Sequence, residues 1–253
     1  MNTESLFTDI YTTRAWGSRE SVSGPSSTHA QTVELRNQLP SLFSRLSIQS
    51  VFDCGCGDFN WFQHVSLGSI QYVGADIAEP IIKENQEEYT SSTIHFQKMD
   101  CLTDPPETAD LWIVRDMCGL YSYESIQQLL LRFIESNSKY IALTTFPTHD
   151  TNIDGSTGIL RPLNIQKAPF LFPDPLDQVE DNQQWFRKKS LYVYTRDQLV
   201  DLPFFTSPFL TSKIISSSVA IDQWNMGHGI QGMHGNPISN VPLRYQSLHG
   251  RKA

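Results

Sequence analysis

Residues 50–61 read Ser-Val-Phe-Asp-Cys-Gly-Cys-Gly-Asp-Phe-Asn-Trp, and this stretch decides the fold. Ser50–Phe52 opens a short apolar run that passes directly into Asp53-Cys54-Gly55-Cys56-Gly57, ahead of a predicted helix. Glycine at both positions lets the chain turn sharply and lets a ligand approach the backbone closely. A dinucleotide fingerprint needs a third glycine, and Asn60 stands in its place, which weighs against a pyrophosphate clamp. Two glycines alone suit a structural turn as well as a ligand loop.

Downstream, strands alternate with helices. Gln71–Ile77 reads as a second strand, Ile94–Asp100 as a third, Asp110–Asp116 as a fourth, Lys139–Phe146 as a fifth and Leu191–Thr195 as a further one. Glu79–Tyr89 is expected to be helical, with Pro80 in its first turn. In 122–137, Ser122 is a ready N-cap, and Ile126, Leu129, Leu130, Phe133 and Ile134 share one helical face. Upstream, 29–46 is expected to be helical in two pieces, interrupted at Pro40. This alternation predicts an α/β fold, a mostly parallel sheet with helices on both faces. Such sheets take ligands beyond the carboxyl ends of their strands.

From Pro147 to Ser190 the periodicity fails, and Pro162, Pro169, Pro173 and Pro175 interrupt it. Its apolar residues (Ile159, Leu160, Phe170, Leu171, Phe172, Trp185, Phe186) argue for an ordered cap over the site. The expected layout is an N-terminal arm and helix over 1–46, a core over 47–199 with the cap at 147–190, and an extension over 200–253.

The chain has 253 residues, 39% hydrophobic and 18% charged, with 27 acidic against 19 basic side chains and a net charge of -8. That composition supports a sizeable core and excludes a disordered chain or a coiled coil. The acidic balance argues against a nucleic-acid partner. No apolar run approaches the ~18 residues of a membrane span, and the first residues lack a basic-then-apolar export signal, so a cytoplasmic location is expected. Cys54, Cys56, Cys101 and Cys118 have neither zinc-ligand spacing nor the spread of a disulfide framework. They read as reduced, buried thiols. His228 and His234, six residues apart in a glycine-rich tail, do not form a ligand pattern, and no metal is expected.

The strand ends carry the chemistry. Asp76 closes the second strand, where a carboxylate can accept both hydroxyls of a ribose. Asp100-Cys101 follows the third strand, Asp116 ends the fourth, and Asp53 leads into the glycine turn. Any one of these acids alone is an ordinary capping or solvated residue; four at successive strand ends are not.

The ordered set VFDCGCGDF, YVGADI, FQKMDCL and ADLWIVRD resembles motifs I to IV of the class I S-adenosylmethionine-dependent methyltransferases. The run from Trp16 to about Leu199 is similar to a bacterial family of these enzymes. In that family a W-G-x-x-E-S-x-S-G-x-x-S stretch (here Trp16, Gly17, Glu20, Ser21, Ser23, Gly24, Ser27) precedes a C-G-D-F-x-W loop (Cys56, Gly57, Asp58, Phe59, Trp61). An R-D pair follows the fourth strand (Arg115, Asp116). Then come T-T, N-x-D, R-x-L-N and P-F-x-F-P, met by Thr144-Thr145, Asn152 and Asp154, Arg161 with Leu163-Asn164, and Pro169–Pro173. The family commonly has an aromatic or His-Leu pair after R-D; here Met117-Cys118-Gly119-Leu120-Tyr121 follows, and the histidine is absent.

The resemblance implies a Rossmann-like seven-stranded sheet, mostly parallel, with an inserted cap after strand five. It implies S-adenosyl-L-methionine as cofactor and S-adenosyl-L-homocysteine as product. Its cofactor-binding residues here are Trp16, Ser23, Asp53, Gly55, Gly57, Asp58, Asp76, Ile77, Asp100, Cys101 and Arg115. Asp76 is assigned to the ribose, Ile77 and Cys101 to the faces of adenine, and Asp100 to its edge. Asp116 and His149 are the catalytic candidates, and Tyr121, Asn152, Asp154 and Arg161 the substrate-binding ones. Alternatively, Asp116 pairs with Arg115 and only shapes the strand end, or Arg115 grips an acceptor anion. The expected activity is O-methylation of a small polar acceptor such as a sugar or natural-product hydroxyl. The competing readings are N-methylation of an amine or guanidine, a cofactor-binding module without catalysis, and a nicotinamide-dependent reductase.

Overall fold

The computed structural model describes residues 2–182 and 188–205. Within them the chain runs α1 (Thr3–Thr13), α2 (Val33–Arg45), β1 (Ser50–Cys54), β2 (Gln71–Asp76), α3 (Glu79–Tyr89), β3 (Ile94–Lys98), β4 (Leu111–Val114), α4 (Tyr123–Glu135), β5 (Tyr140–Thr145), β6 (Asp177–Glu180), β7 (Ser190–Thr195) and α5 (Arg196–Leu199). The seven strands form one sheet in the order β3-β2-β1-β4-β5-β7-β6. β1 to β5 are parallel, whereas β7 runs antiparallel to both β5 and β6.

The central strands are short and apolar on both faces because helices or turns cover each side. All four residues of β4 are buried, and Trp112 packs edge-on against Phe133 of α4 at 5.8 Å. Ser122 caps α4 as expected, its side chain accepting from the Ser125 N–H. Leu129, Leu130 and Phe133 of α4 are buried, each contributing ~1.5–3 kcal/mol of apolar transfer.

Four expectations are corrected. Pro40 does not split the upstream helix: α2 is continuous, and residues 29–32 lie outside it. Its buried face of Leu35, Leu39, Leu42 and Phe43 offsets the ~3 kcal/mol that an interior proline costs. The stretch after the glycine turn forms only a 3-10 turn at Phe62–His64. There Phe59 and Phe62 stack against one another and meet Tyr72, an aromatic cluster that holds the crossover without a longer helix. The third and fourth strands stop at Lys98 and Val114, so Asp100 and Asp116 sit on the loops beyond them. The segment read as an ordered cap without periodicity contains β6, an edge strand of the sheet. Only Val179 of its four residues is buried, which is why no apolar pattern announced it.

Residues 200–205 of the expected extension pack on the core, with Phe204 against Phe170 at 4.9 Å and Gln127 donating to the Phe204 and Phe205 carbonyls. The rest of that extension, with His228 and His234, and also Trp185 and Phe186, lies outside the described residues.

Candidate active site

A hollow of about 780 Å³, open mouth included, lies at the carboxyl ends of β1, β2 and β4. The glycine turn forms its floor, and the backbone there is unusual. Gly55 and Gly57 have φ of +77° and +58°, the left-handed region that favours glycine. The Gly55 and Cys56 N–H groups both donate to the Ala75 carbonyl, at 2.8 and 2.9 Å. Gly57 N–H donates to Asp76 Oδ2, and Asp58 N–H to Ser23 Oγ. Four consecutive amides are therefore used inside the protein. No α-helix starts after the turn to aim further donors outward.

Asp76 ends β2, and its side chain accepts from Gly57 N–H and Tyr11 O–H on Oδ2 and from Ala78 N–H on Oδ1. Burial pushes its pKa up against these bonds. Asp53, inside β1 rather than at its tip, is pushed by burial to about 7 even though Tyr72 O–H donates to it at 2.7 Å and Arg115 is near. Asp100, half-buried, accepts from Leu102 N–H in the turn after β3. Phe7, Tyr11, Trp16 and Tyr121 supply aromatic wall; Trp16 meets Tyr11 edge-on at 5.5 Å, and Phe7 meets Tyr121 at 5.8 Å. The hollow is thus acidic and aromatic.

Nine of the eleven expected cofactor residues line it: Trp16, Ser23, Asp53, Gly55, Asp76, Ile77, Asp100, Cys101 and Arg115. Gly57 and Asp58 do not. A Cβ on Gly57 would overlap Ser23 Oγ, and Asp58 fastens the N-terminal segment by accepting from Val22 N–H at 2.7 Å and Ser23 O–H at 3.0 Å. These two residues dock that segment onto the floor.

Asp116 and Tyr121 also line the hollow. Asp116 has a non-glycine φ of +61°, a conformation that costs roughly 1–2 kcal/mol. Its carboxylate meets Lys189 Nζ at 2.7 Å and Arg115 at 3.5 Å. Lys189 also binds Asp181 at 2.8 Å. Arg115 grips Asp181 through Nε and Nη2 at 2.9 and 3.1 Å, donates to the Ser26 carbonyl, and lies over the Trp61 ring. Two cations and two anions thus close a buried network. Burial raises the Asp116 pKa, but the charges of Lys189 and Arg115 outweigh it and hold the carboxyl below its ordinary range. The sequence reading missed Lys189 and Asp181, which lie just outside β7 and β6 in the stretch without periodicity. The Nε and Nη2 donors of Arg115 are engaged by Asp181 and the Ser26 carbonyl.

The cap candidates turn out to be fasteners. Asn152 exchanges hydrogen bonds with the backbone of Asn164 and donates to the Ala168 carbonyl. Asp154 accepts from the N–H groups of Tyr123 and Gly155. Arg161 donates to the carbonyls of Ile153, Gly119 and Tyr121. None of the three lines the main hollow, nor does His149, whose backbone accepts from Asn164. Arg161 does line a smaller pocket that shares Asp116 with the hollow and is walled by Thr144, Phe146, Leu160 and Leu163.

The strand order, the antiparallel β7 and the glycine turn after β1 make this the Rossmann-like class I methyltransferase fold. No protein-family model matches the chain, and no curated protein matches it. Among solved structures, magnesium protoporphyrin IX methyltransferase from Synechocystis PCC 6803 with bound SAM is similar with a TM-score of 0.53, over 78% of this chain and 98% of that one, at 13% identity. Weaker likenesses include the N-methyltransferase NodS from Bradyrhizobium japonicum WM9 (0.49; 65% and 96% of the two chains; 13% identity). Another is human N-acetylserotonin methyltransferase in complex with SAM (0.43; 58% of this chain, 42% of that one; 18% identity). This chain thus spans under half the length of the human enzyme. At these identities the likeness is one of fold.

Proposed function

We propose that the protein is an S-adenosylmethionine-dependent methyltransferase acting on a small polar acceptor, with a hydroxyl as the favoured nucleophile. The observation that carries this reading is the floor of the hollow. A dinucleotide site offers backbone N–H groups and a helix N-terminus to a diphosphate; here the amides of residues 55–58 are bonded internally. What faces the hollow instead is carboxylates and aromatic rings, surroundings that suit a cationic sulfonium nucleoside. That argues against the nicotinamide-dependent alternative.

The cofactor, when bound, supplies an electrophilic methyl group on sulfur. Asp76 is assigned to the ribose: a carboxylate accepts about four hydrogen bonds, three come from Tyr11, Gly57 and Ala78, and acceptor capacity on Oδ1 remains for one ribose hydroxyl. Ile77 and Cys101 face the base and Asp100 its edge. Gly55 lets the methionine moiety approach the backbone. Proximity and alignment supply most of the rate gain in such a transfer. Asp116, held ionised by Lys189 and Arg115, is a weak base. Its role is to accept a hydrogen bond from the acceptor and orient it, and the fixed φ of +61° keeps that aim. Its network is neutral overall, which favours a neutral hydroxyl over an ammonium or a carboxylate acceptor.

Calorimetric titration with S-adenosylmethionine and S-adenosylhomocysteine should show saturable binding; saturation by NADH and by neither of these overturns the reading. Asp116→Asn should lower methyl transfer to acceptors found in a metabolite screen far more than it lowers cofactor affinity. An equal loss in both removes the acceptor-facing role.

A further inference from the structure

The N-terminal helix reaches the site through one buried hydrogen bond. Tyr11, in the last turn of α1, donates its O–H to Asp76 Oδ2 at 3.1 Å, across 65 residues of sequence. The helix is held from several sides. Glu4 pairs with Lys98 at the end of β3. Leu6 packs on Gly158 of the cap, where any Cβ would come within 2.9 Å of it. Phe7 leans on Tyr121. The Tyr11 ring is fixed edge-on by Trp16. A tyrosine held this rigidly donates at little entropic cost, and it donates to the carboxylate oxygen that Gly57 N–H also holds.

We propose that Tyr11 is a positioning residue for cofactor binding: its hydroxyl orients the Asp76 carboxylate toward the ligand, making α1 part of the binding site. This rests on the reading of Asp76 as the ribose-binding group. The groups facing Asp76 from other elements are Asp53 on β1, Cys56 in the glycine turn and Tyr121 beyond β4, all of them acids whose pKa the Asp76 charge raises. Against them the Tyr11 bond lowers the Asp76 pKa, as do the backbone N–H donors of the turn. Removing the hydroxyl therefore moves the protonation of Asp76 to higher pH, and a protonated Asp76 has lost an acceptor for the ribose.

The test is titration of the full chain with S-adenosylhomocysteine, by calorimetry, across about pH 5.5 to 8.5, for wild type, Tyr11→Phe, Asp76→Asn and the double variant. Tyr11→Phe removes one oxygen and keeps the ring contacts. The expected result is affinity about tenfold weaker at neutral pH, as for loss of a hydrogen bond to a charged group, and a decline on acidification that begins at higher pH than in wild type. In the double variant the Tyr11 substitution should add nothing to the Asp76→Asn loss, because Tyr11 acts through Asp76. Wild-type affinity and an unshifted pH profile in Tyr11→Phe, with Asp76→Asn weakened, overturn the Tyr11 role and leave the ribose assignment standing. Additive losses in the double variant overturn it too, in favour of a packing role. Unaltered binding in Asp76→Asn overturns the ribose assignment and this proposal together. Should Tyr11→Phe fail to fold, Tyr11→Met, which keeps apolar bulk and donates no hydrogen bond, takes its place in the same cycle.

Discussion

Lys189→Met removes the cation that bridges the buried Asp181 and the half-buried Asp116. Lys189 is 1% exposed and Asp181 0%, and the ammonium lies 2.7 Å from Asp116 and 2.8 Å from Asp181. The variant leaves Arg115 alone against both acids. Methionine refills the space of the lysine stem, so the cost is electrostatic. Deleting one partner of a buried pair costs about 3–5 kcal/mol; Asp181 has no access to water, and Asp116 reaches it only through the hollow that it lines. Against a total stability of about 5–15 kcal/mol, that leaves the variant marginal.

The sign of the pH dependence discriminates further. In the wild type the Asp116 pKa is depressed, so its contribution is present above the unfolded value of about 3.9 and is lost as pH falls through the folded one. Without Lys189 the largest of the interactions that lower it is gone and Arg115 at 3.5 Å remains against burial, so the folded pKa moves up from its wild-type value. The gap between wild type and variant is then full at high pH and shrinks as pH falls through the variant's folded pKa. Urea denaturation should therefore show a gap between wild type and variant of about 3–5 kcal/mol near pH 8, narrowing toward pH 5. Lys189→Met/Asp181→Asn, with one cation and one anion left, should recover most of the loss. A gap below about 1 kcal/mol, the value of an exposed pair, or a gap that does not change with pH, refutes the reasoning.

Gly57→Ala should cost about 2–4 kcal/mol: roughly 1–2 for a Cβ at positive φ, and the rest for displacing Ser23 from its exchange with Asp58; thermal unfolding measures it. Arg161→Ala should free the cap, speeding proteolysis within residues 147–176 while the global unfolding midpoint moves little. Cleavage at the wild-type rate would mean that its three carbonyl contacts do not fasten the segment. The four cysteines are buried, and burial raises the pKa of Cys54, Cys56 and Cys118. Labelling by a thiol reagent should thus track unfolding, and rapid modification of the folded chain would contradict the burial.

Most of the sheet is legible in the sequence because β1, β2, β4, β5 and β7 are largely buried runs; β3, an edge strand with only Phe96 buried, is legible through its Ile94-His95-Phe96 alternation. β6 is not, because an edge strand with one covered face needs only Val179 inside. Pro40 misleads, since a local propensity is overridden by four buried side chains on α2. Asp76, Asp100 and Asp116 can be found because strand ends are where such folds put chemistry. Lys189, Asp181 and Tyr11 cannot: each acquires its partner only through tertiary packing, when the returning β6–β7 pair or the N-terminal helix meets the ends of β4 and β2. Asn152, Asp154 and Arg161 show the converse. Polar residues in a loop read as ligand contacts, and they bond backbone in the loop and in the segment from Gly119 to Tyr123.

The N-terminal segment carries a consequence for how the chain assembles. Leu6 meets Gly158, Tyr11 meets Asp76, Ser23 meets Asp58 and the Ser26 carbonyl meets Arg115. The residues that leave the ribosome earlier thus depend on partners synthesised well after them. Closing loops of this length costs entropy before any contact repays it, and distant contacts slow folding. During synthesis Phe7, Tyr11 and Trp16 have no wall to rest against until β2, β4 and the cap exist. The part of the chain that closes the candidate active site is therefore among the last to settle, and a nascent or truncated chain exposes an aromatic surface that the finished molecule hides.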